Sequence, residues 1–291
     1  MLWGFFQKLV IAERAGEIVN AAFADPKSFS GLPMLVAVLM YSLQIYGDFA
    51  GYSNIAVGAA KIFGFDLIQN FHQPYFSTSI KEFWRRWHIS LFSWLRDYIY
   101  IPLGGSRCAQ WKKYRNILIT FLVSGLWHGA GWSFIAWGLL HGIYQIFGEV
   151  LRPARNQVYR LLHLRQDSYL VRFWKTACTF LLVTFAWVFF RAGSIQNAME
   201  VLGSLFTWNL PGVSLHALFE IRLSDMLVLF ASLGILLFVD CFAYKGNWYK
   251  KCLQTNRVTQ SVAVMLLLFI VLLFGIYGPG YLGSDFIYAR F

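Results

Sequence analysis

The chain has 291 residues, 58% hydrophobic and 19% aromatic, with 13% charged and a formal net charge of +11. So little charge excludes intrinsic disorder and cannot cover the surface of a soluble globule. With a mean hydropathy of +0.52, the remaining class is an all-α, polytopic helical membrane protein whose apolar exterior faces lipid.

Residues 1–24 read as an amphipathic helix ended by Asp25-Pro26. Lys8, Glu13, Arg14 and Glu17 alternate with Phe5, Leu9, Val10 and Ile18, which suits the membrane interface. Mixed charge and the lack of an A-x-A site rule out a signal peptide. Residues 32–64 are apolar but interrupted near Gly47-Asp48 and Gly51, so one tilted span and two helices meeting at a break are both open. Residues 66–115 are polar, aromatic and basic, too charged to cross lipid.

Basic residues flank the segment 116–150, so by the positive-inside rule both flanks lie on the cytoplasmic side. Two full crossings need about 20 residues each, more than this segment holds. A first arm from Asn116 to Trp127 gives about 18 Å of helix at 1.5 Å per residue. Gly125, Gly129 and Gly131 supply the turn, which places His128 at the tip of a re-entrant hairpin near mid-membrane. Irregular backbone at that depth must be buried in protein or face water. Beyond a basic loop (151–175), residues 176–190 cross outward, 191–225 form an external loop without positive bias, and 226–244 return. Residues 245–257 are internal, 258–280 leave again, and the C-terminus is external.

The basic blocks alternate with apolar runs as topology requires, which argues against nucleic acid as a partner. Cys108, Cys178, Cys241 and Cys252 show neither zinc spacing nor a disulfide framework, and Cys108, Cys241 and Cys252, in or beside basic loops, suit a reducing side. No P-loop, GxGxxG, HExxH or GxSxG is present, which argues against an ATPase, a Rossmann dehydrogenase, a zincin or an α/β-hydrolase.

Ionisable residues within membrane segments are functional candidates by default. Here they are Asp48, His128, His141 and Asp240, with His88 at the end of the first helix of the basic loop. The apolar neighbours of His128, VSGLWHGAGWSF, favour the uncharged imidazole, which can take a proton from a hydroxyl. A histidine hydrogen-bonded inside a helix bundle is the competing reading. His88 stands among Trp84, Arg85, Arg86 and Trp87, a setting equally typical of an interfacial aromatic belt. Arg96-Asp97 reads as a local pair. Gln44 and Asp48, at i and i+4, share a helix face and could line a polar cavity. His141 is a more distant supporting candidate, and His72, His163 and His216 fall in solvated loops.

Taken together, QIYGDFAGYSNIAVGAAKIFGF, NFHQPYFSTSIKEFWRRWHISLFSWLRDYIYIPLGG and SGLWHGAGWSFIAWGLLHG resemble the membrane-bound O-acyltransferase (MBOAT) family. IPLGG after RDYIY, WVFFRA (Trp187–Ala192) and the closing FIYARF (Phe286–Phe291) are most similar to its alginate O-acetylation branch, less to the branch that loads D-alanine onto teichoic acid. The resemblance implies one transmembrane domain over 1–291, a ring of tilted helices around a central funnel. It implies His128 as the active-site histidine and His88 as the second histidine of the bacterial branch. Gln44, Asp48, Trp127, Arg96 and Asp97 are the expected substrate-contacting residues, and no metal is expected. Family members are longer, and GFFQKLVIAERA resembles an internal family segment. Met1 therefore reads as a late start, a fragment or a split gene, lacking N-terminal spans. Asn54 departs from the acid common in the alginate branch.

The implied reaction moves an acetyl group from a cytoplasmic thioester, acetyl-CoA, to a hydroxyl. The acceptor would be an exported polysaccharide such as alginate, reached directly or through a periplasmic polysaccharide-acetylation protein. The setting would be the bacterial inner membrane, with membrane lipid around the chain. The basic 81–115 loop either grips donor phosphates or serves topology alone. The readings from other classes are a transporter or channel, which would show repeated spans with paired midplane charges, and a non-catalytic scaffold.

Overall fold

The computed structural model describes residues 1–207, 218–246 and 254–277. His216, Cys252 and the closing FIYARF therefore lie outside the described residues. In chain order the helices are α1 (Leu2–Phe5), α2 (Glu13–Ala24), α3 (Leu32–Ile62), α4 (Ile80–Arg86), α5 (Ile89–Leu95), α6 (Gln110–His128), α7 (Trp132–Val150), α8 (Arg152–Leu161), α9 (Tyr169–Arg191), α10 (Ile195–Phe206), α11 (Leu223–Lys245) and α12 (Arg257–Phe274). Among the described residues there is no strand. The chain forms two compact units, Met1–Gln69 with Met199–Phe291, and Asn70–Ala198.

In the first unit the N-terminal segment is one helical run, with π-helical Phe6–Ala12 joining α1 to α2. The sequence places this run at a membrane interface, but the structure buries it against α3. Phe6, Val10, Ile11, Ala15 and Val19 are fully enclosed. Lys8, Glu13 and Arg14 are satisfied internally instead. Lys8 Nζ donates to Asp48 Oδ1 at 2.5 Å and lies 3.8 Å from Glu13, while Arg14 pairs with Asp225 at 3.3 Å. Glycine permits this approach: a Cβ at Gly51 would lie 2.8 Å from the Gly4 carbonyl oxygen.

The same contacts decide between the two readings of residues 32–64. Gly47 and Gly51 are packing positions, and α3 runs unbroken through them for 31 residues. At 1.5 Å per residue that is about 46 Å, so a bilayer core about 30 Å thick is crossed with tilt. Asp240 on α11 accepts a hydrogen bond from Tyr46 Oη at 2.8 Å, which satisfies an intramembrane carboxyl.

Among the described residues α3, α9, Leu223–Tyr244 of α11 and α12 are long and apolar enough to cross a membrane, while α7 passes the same test only together with α8, from which it is bent by 49°. Phe173, Leu181, Leu227, Phe230, Phe238 and Leu273 stand exposed along these helices. Such a surface is stable against lipid and not against water. The chain is thus a multi-pass helical membrane protein. Several boundaries differ from the sequence reading: the expected external loop 191–225 contains α10. Residues 151–175, expected as a loop, contain α8 and the start of α9. Helix α9 begins seven residues before its apolar run, capped by Ser168 Oγ accepting from Val171 N.

Candidate active site

The second unit holds both candidate histidines, and local rules place each of them. Thr78-Ser79-Ile80-Lys81-Glu82 starts α4: Ser79 Oγ accepts from Glu82 N at 3.2 Å, and the Glu82 carboxylate accepts from Thr78 N and Oγ1 at 2.9 and 2.8 Å. This is a capping-box arrangement. Arg86, one turn on, pairs with Glu82 at 3.0 Å. The helix then stops at extended Trp87, and His88 adopts left-handed φ 45°, ψ 54°. A non-glycine residue in that region costs of order 1–3 kcal/mol and persists only where its surroundings enforce it. Asn70 does so here. Its backbone oxygen takes Ile89 N at 3.1 Å, and its side-chain Oδ1 takes Ser90 N at 3.1 Å and Ser90 Oγ at 2.7 Å.

The hairpin after the basic loop is longer than its sequence suggests. Helix α6 begins at Gln110, six residues before the expected arm, and both α6 and α7 have 19 residues. Each arm is about 28 Å long. The polar residues that hid this start are engaged locally: Asn116 is fully buried and its Nδ2 donates to Leu103 O at 2.9 Å and Gly105 O at 3.3 Å, pinning the IPLGG turn to α6. Gly125 and Gly138 let the arms touch. A Cβ at either would meet backbone of the opposite arm, Phe134 O or Phe121 O. Gly129, at φ 147° and ψ 155°, ends α6 in a conformation open essentially only to glycine.

His128 is therefore the last residue of α6, at the hairpin tip, and 2% exposed. Its ring meets Trp127 at 4.8 Å, Phe190 at 4.9 Å and Trp137 at 5.1 Å between centroids, all edge-on. His88, 9% exposed, contacts Trp127 edge-on at 5.9 Å. The two histidines thus flank Trp127, which is itself 52% exposed, and are close enough to interact electrostatically. Behind them Trp84 Nε1 donates to His141 Nδ1 at 3.2 Å. That bond puts the proton of a neutral His141 on Nε2. His141 in turn packs on Trp137 at 5.2 Å.

Trp84, Phe92 and Phe121 also line a cavity of about 570 Å³, together with the cations Lys81, Arg85, Arg96 and Lys113. An unbroken series of ring contacts, Trp84 to His141 to Trp137 to His128, joins this lining to the hairpin tip. Arg96 is one of the lining cations. Its bond to Asp97 at 2.7 Å is the local pair expected, and both are exposed, where such pairs contribute little to stability. Gln44 and Asp48 share a face of α3 as their spacing requires, but they belong to the first unit, where Lys8 engages Asp48. Among the described residues no three His, Cys, Asp or Glu side chains gather to hold a metal ion.

Burial depresses the His88 pKa to about 4, so the imidazole is neutral at pH 7. The unfolded chain, with a value of 6.5, binds the proton first. Native stability is therefore complete above about pH 6.5 and falls as pH drops toward 4, by roughly 3 kcal/mol in all at 1.36 kcal/mol per unit. Melting temperature against pH should show this loss in the wild type and a flatter profile in His88→Gln; parallel profiles would contradict it.

Several contributors escape a sequence reading. Trp84, Trp137, Trp187 and Phe190 form the box around the two hairpin histidines. Spacing carries part of the signal, since Trp137–His141 are i, i+4 and Trp187–Phe190 are i, i+3. Nothing local announces that Asn70 sets the His88 backbone.

The sequence profile of the MBOAT, membrane-bound O-acyltransferase, family matches residues 4–193. A probable alginate O-acetylase of Pseudomonas putida is 34% identical over 308 residues, covering 99% of this chain and 59% of that protein. One from Azotobacter vinelandii is 39% identical over 236 residues, covering 80% and 45%. A peptidoglycan O-acetyltransferase of Helicobacter pylori is 41% identical over 212 residues, covering 73% and 38%. The chain thus spans about half the length of these curated relatives.

Proposed function

This chain belongs to the membrane-bound O-acyltransferase family, and from that membership we propose that it is an O-acetyltransferase acting on an exported polysaccharide. In this reading residues 1–291 are one transmembrane domain of the bacterial inner membrane, of the ring-and-funnel kind. The donor is acetyl-CoA, entering from the basic face, and the acceptor hydroxyl belongs to a polymer such as alginate or to a periplasmic carrier protein. The observation that carries the reading is the pairing of His88 and His128 across Trp127, both withdrawn from water, near a cavity lined in part by cations.

Neutral His128 takes the proton of the attacking hydroxyl as its oxygen bonds to the thioester carbonyl carbon. The C–S bond then breaks, and the thiolate recovers that proton from His128, leaving an acetyl ester and free CoA. An N–H of His88 stabilises the oxyanion formed between these steps. Arg85, Arg96 and Lys113 meet the donor's phosphates. Gln44, Asp48, Trp127 and Asp97 remain the proposed contacts of the substrates.

The test is transfer itself. The intact chain in liposomes, given CoA carrying a labelled acetyl group and the periplasmic carrier or polymer, should place label on a hydroxyl, releasable as acetate by mild base. Label that stays on CoA under all conditions would overturn the reading. His88→Gln should lower the rate roughly 10²–10³-fold, the usual cost of one oxyanion donor, while donor binding is kept. An unchanged rate would make His88 a structural residue only.

A further inference from the structure

A second cavity, of about 660 Å³, opens between the ends of α7, α8 and α9 within the second unit. Five of its lining side chains are cationic: Arg152 and Arg155 of α8, Lys175 of α9, Lys81 and Lys113. Its one carboxylate, Glu149, is already taken by Lys113. Among the described residues no acid lies within ion-pair distance of Arg152, Arg155 or Lys175, and Lys175 Nζ is held 5.2 Å over the Tyr159 ring. A cluster of like charges this close lacks a counter-anion.

The lining also includes apolar Phe147, Leu151, Trp174 and Leu182, all exposed. Trp174 and Lys175 come six and seven residues into α9, a helix able to cross the membrane. They therefore lie within about 10 Å of its basic end at 1.5 Å per residue, the depth at which headgroups meet acyl chains. Helix α8, bent 49° from α7, presents arginines beside Leu151, Val158 and Leu161, as a helix lying at an interface does.

We propose that this cavity binds the phosphate headgroup of an anionic membrane lipid, with Arg152, Arg155 and Lys175 on the phosphate and an acyl chain along Trp174 and Leu182. A soluble phosphate ligand would use the cations but leave the apolar side chains without a partner. A zwitterionic lipid would use the apolar side chains but leave net positive charge uncompensated. Arg152, Arg155 and Lys175 take no part in the proposed transfer, so binding can be read in a His128→Ala protein.

The test is native mass spectrometry of the intact chain with short-chain phosphatidylglycerol, phosphatidylcholine or 3′,5′-ADP as separate probes. Phosphatidylglycerol should bind one to one and survive an excess of either other probe. The double variant Arg155→Gln/Lys175→Gln should weaken it roughly 30-fold, since each cation near an anionic headgroup is worth about a factor of five. The charge-keeping pair Arg155→Lys/Lys175→Arg, which guards against misfolding, should restore binding. Equal binding of phosphatidylcholine, displacement by 3′,5′-ADP, or unchanged affinity in the Gln variant would each overturn the proposal.

Discussion

Replacing His128 with alanine should abolish acetyl transfer, with a loss at the upper end of the 10²–10⁴-fold range for a general base or beyond it. The rings packed directly on it supply no substitute. Trp127, Trp137 and Phe190 are its ring neighbours, and none of them can take a hydroxyl proton near neutral pH. The truncation removes an imidazole from an aromatic box, so some stability will be lost as well. His128→Gln therefore belongs beside His128→Ala. Gln fills more of the space without serving as a base at neutral pH, and should be equally inactive with a melting temperature nearer the wild type. Initial rates with labelled acetyl donor, normalised to folded protein, check this. Either variant transferring at a tenth of the wild-type rate would remove His128 from the base role.

The sequence already carried the helical class, the membrane, and the tip position of His128, because each rests on a strong local signal. Long apolar runs, basic flanks and a glycine-bounded turn do not depend on what packs against them. The errors share one cause. In sequence, polar residues in the N-terminal run and at the start of α6 look like marks of solvent or interface. Lys8, Arg14 and Asn116 instead find internal partners, Asp48, Asp225 and the carbonyls of Leu103 and Gly105. Partner identity is tertiary information, and a lone sequence does not contain it. Gly47 and Gly51 gave the same ambiguity in reverse, since a glycine in a helix marks either a break or a close contact. The left-handed backbone of His88 was equally hidden, being imposed by Asn70, which lies eighteen residues away.

The second large effect concerns the scaffold that aims His128. Gly138→Val should destabilise the hairpin severely. A Cβ there would clash with the Phe121 carbonyl oxygen and lie 3.3 Å from Gly125 Cα, and both obstacles are backbone. Backbone cannot rotate aside as a side chain can, so the arms must separate. Overpacking of this kind costs typically 1–3 kcal/mol and occasionally more, and here two further methyl groups are added. Gly148 is the matched control, on the same helix but with open space around its Cβ position. Gly148→Ala should leave the melting temperature unchanged or raise it slightly, because alanine costs less backbone entropy in a helix. Thermal unfolding in detergent, followed by tryptophan fluorescence, compares the two directly. Gly138→Val melting with the wild type would mean that α6 and α7 are not in contact. Gly138→Ala, a smaller insult, separates geometry from stability. If the tip position of His128 depends on that contact, transfer should fall by more than the folded fraction does, because misplacement of about 1 Å can cost 10²-fold in rate.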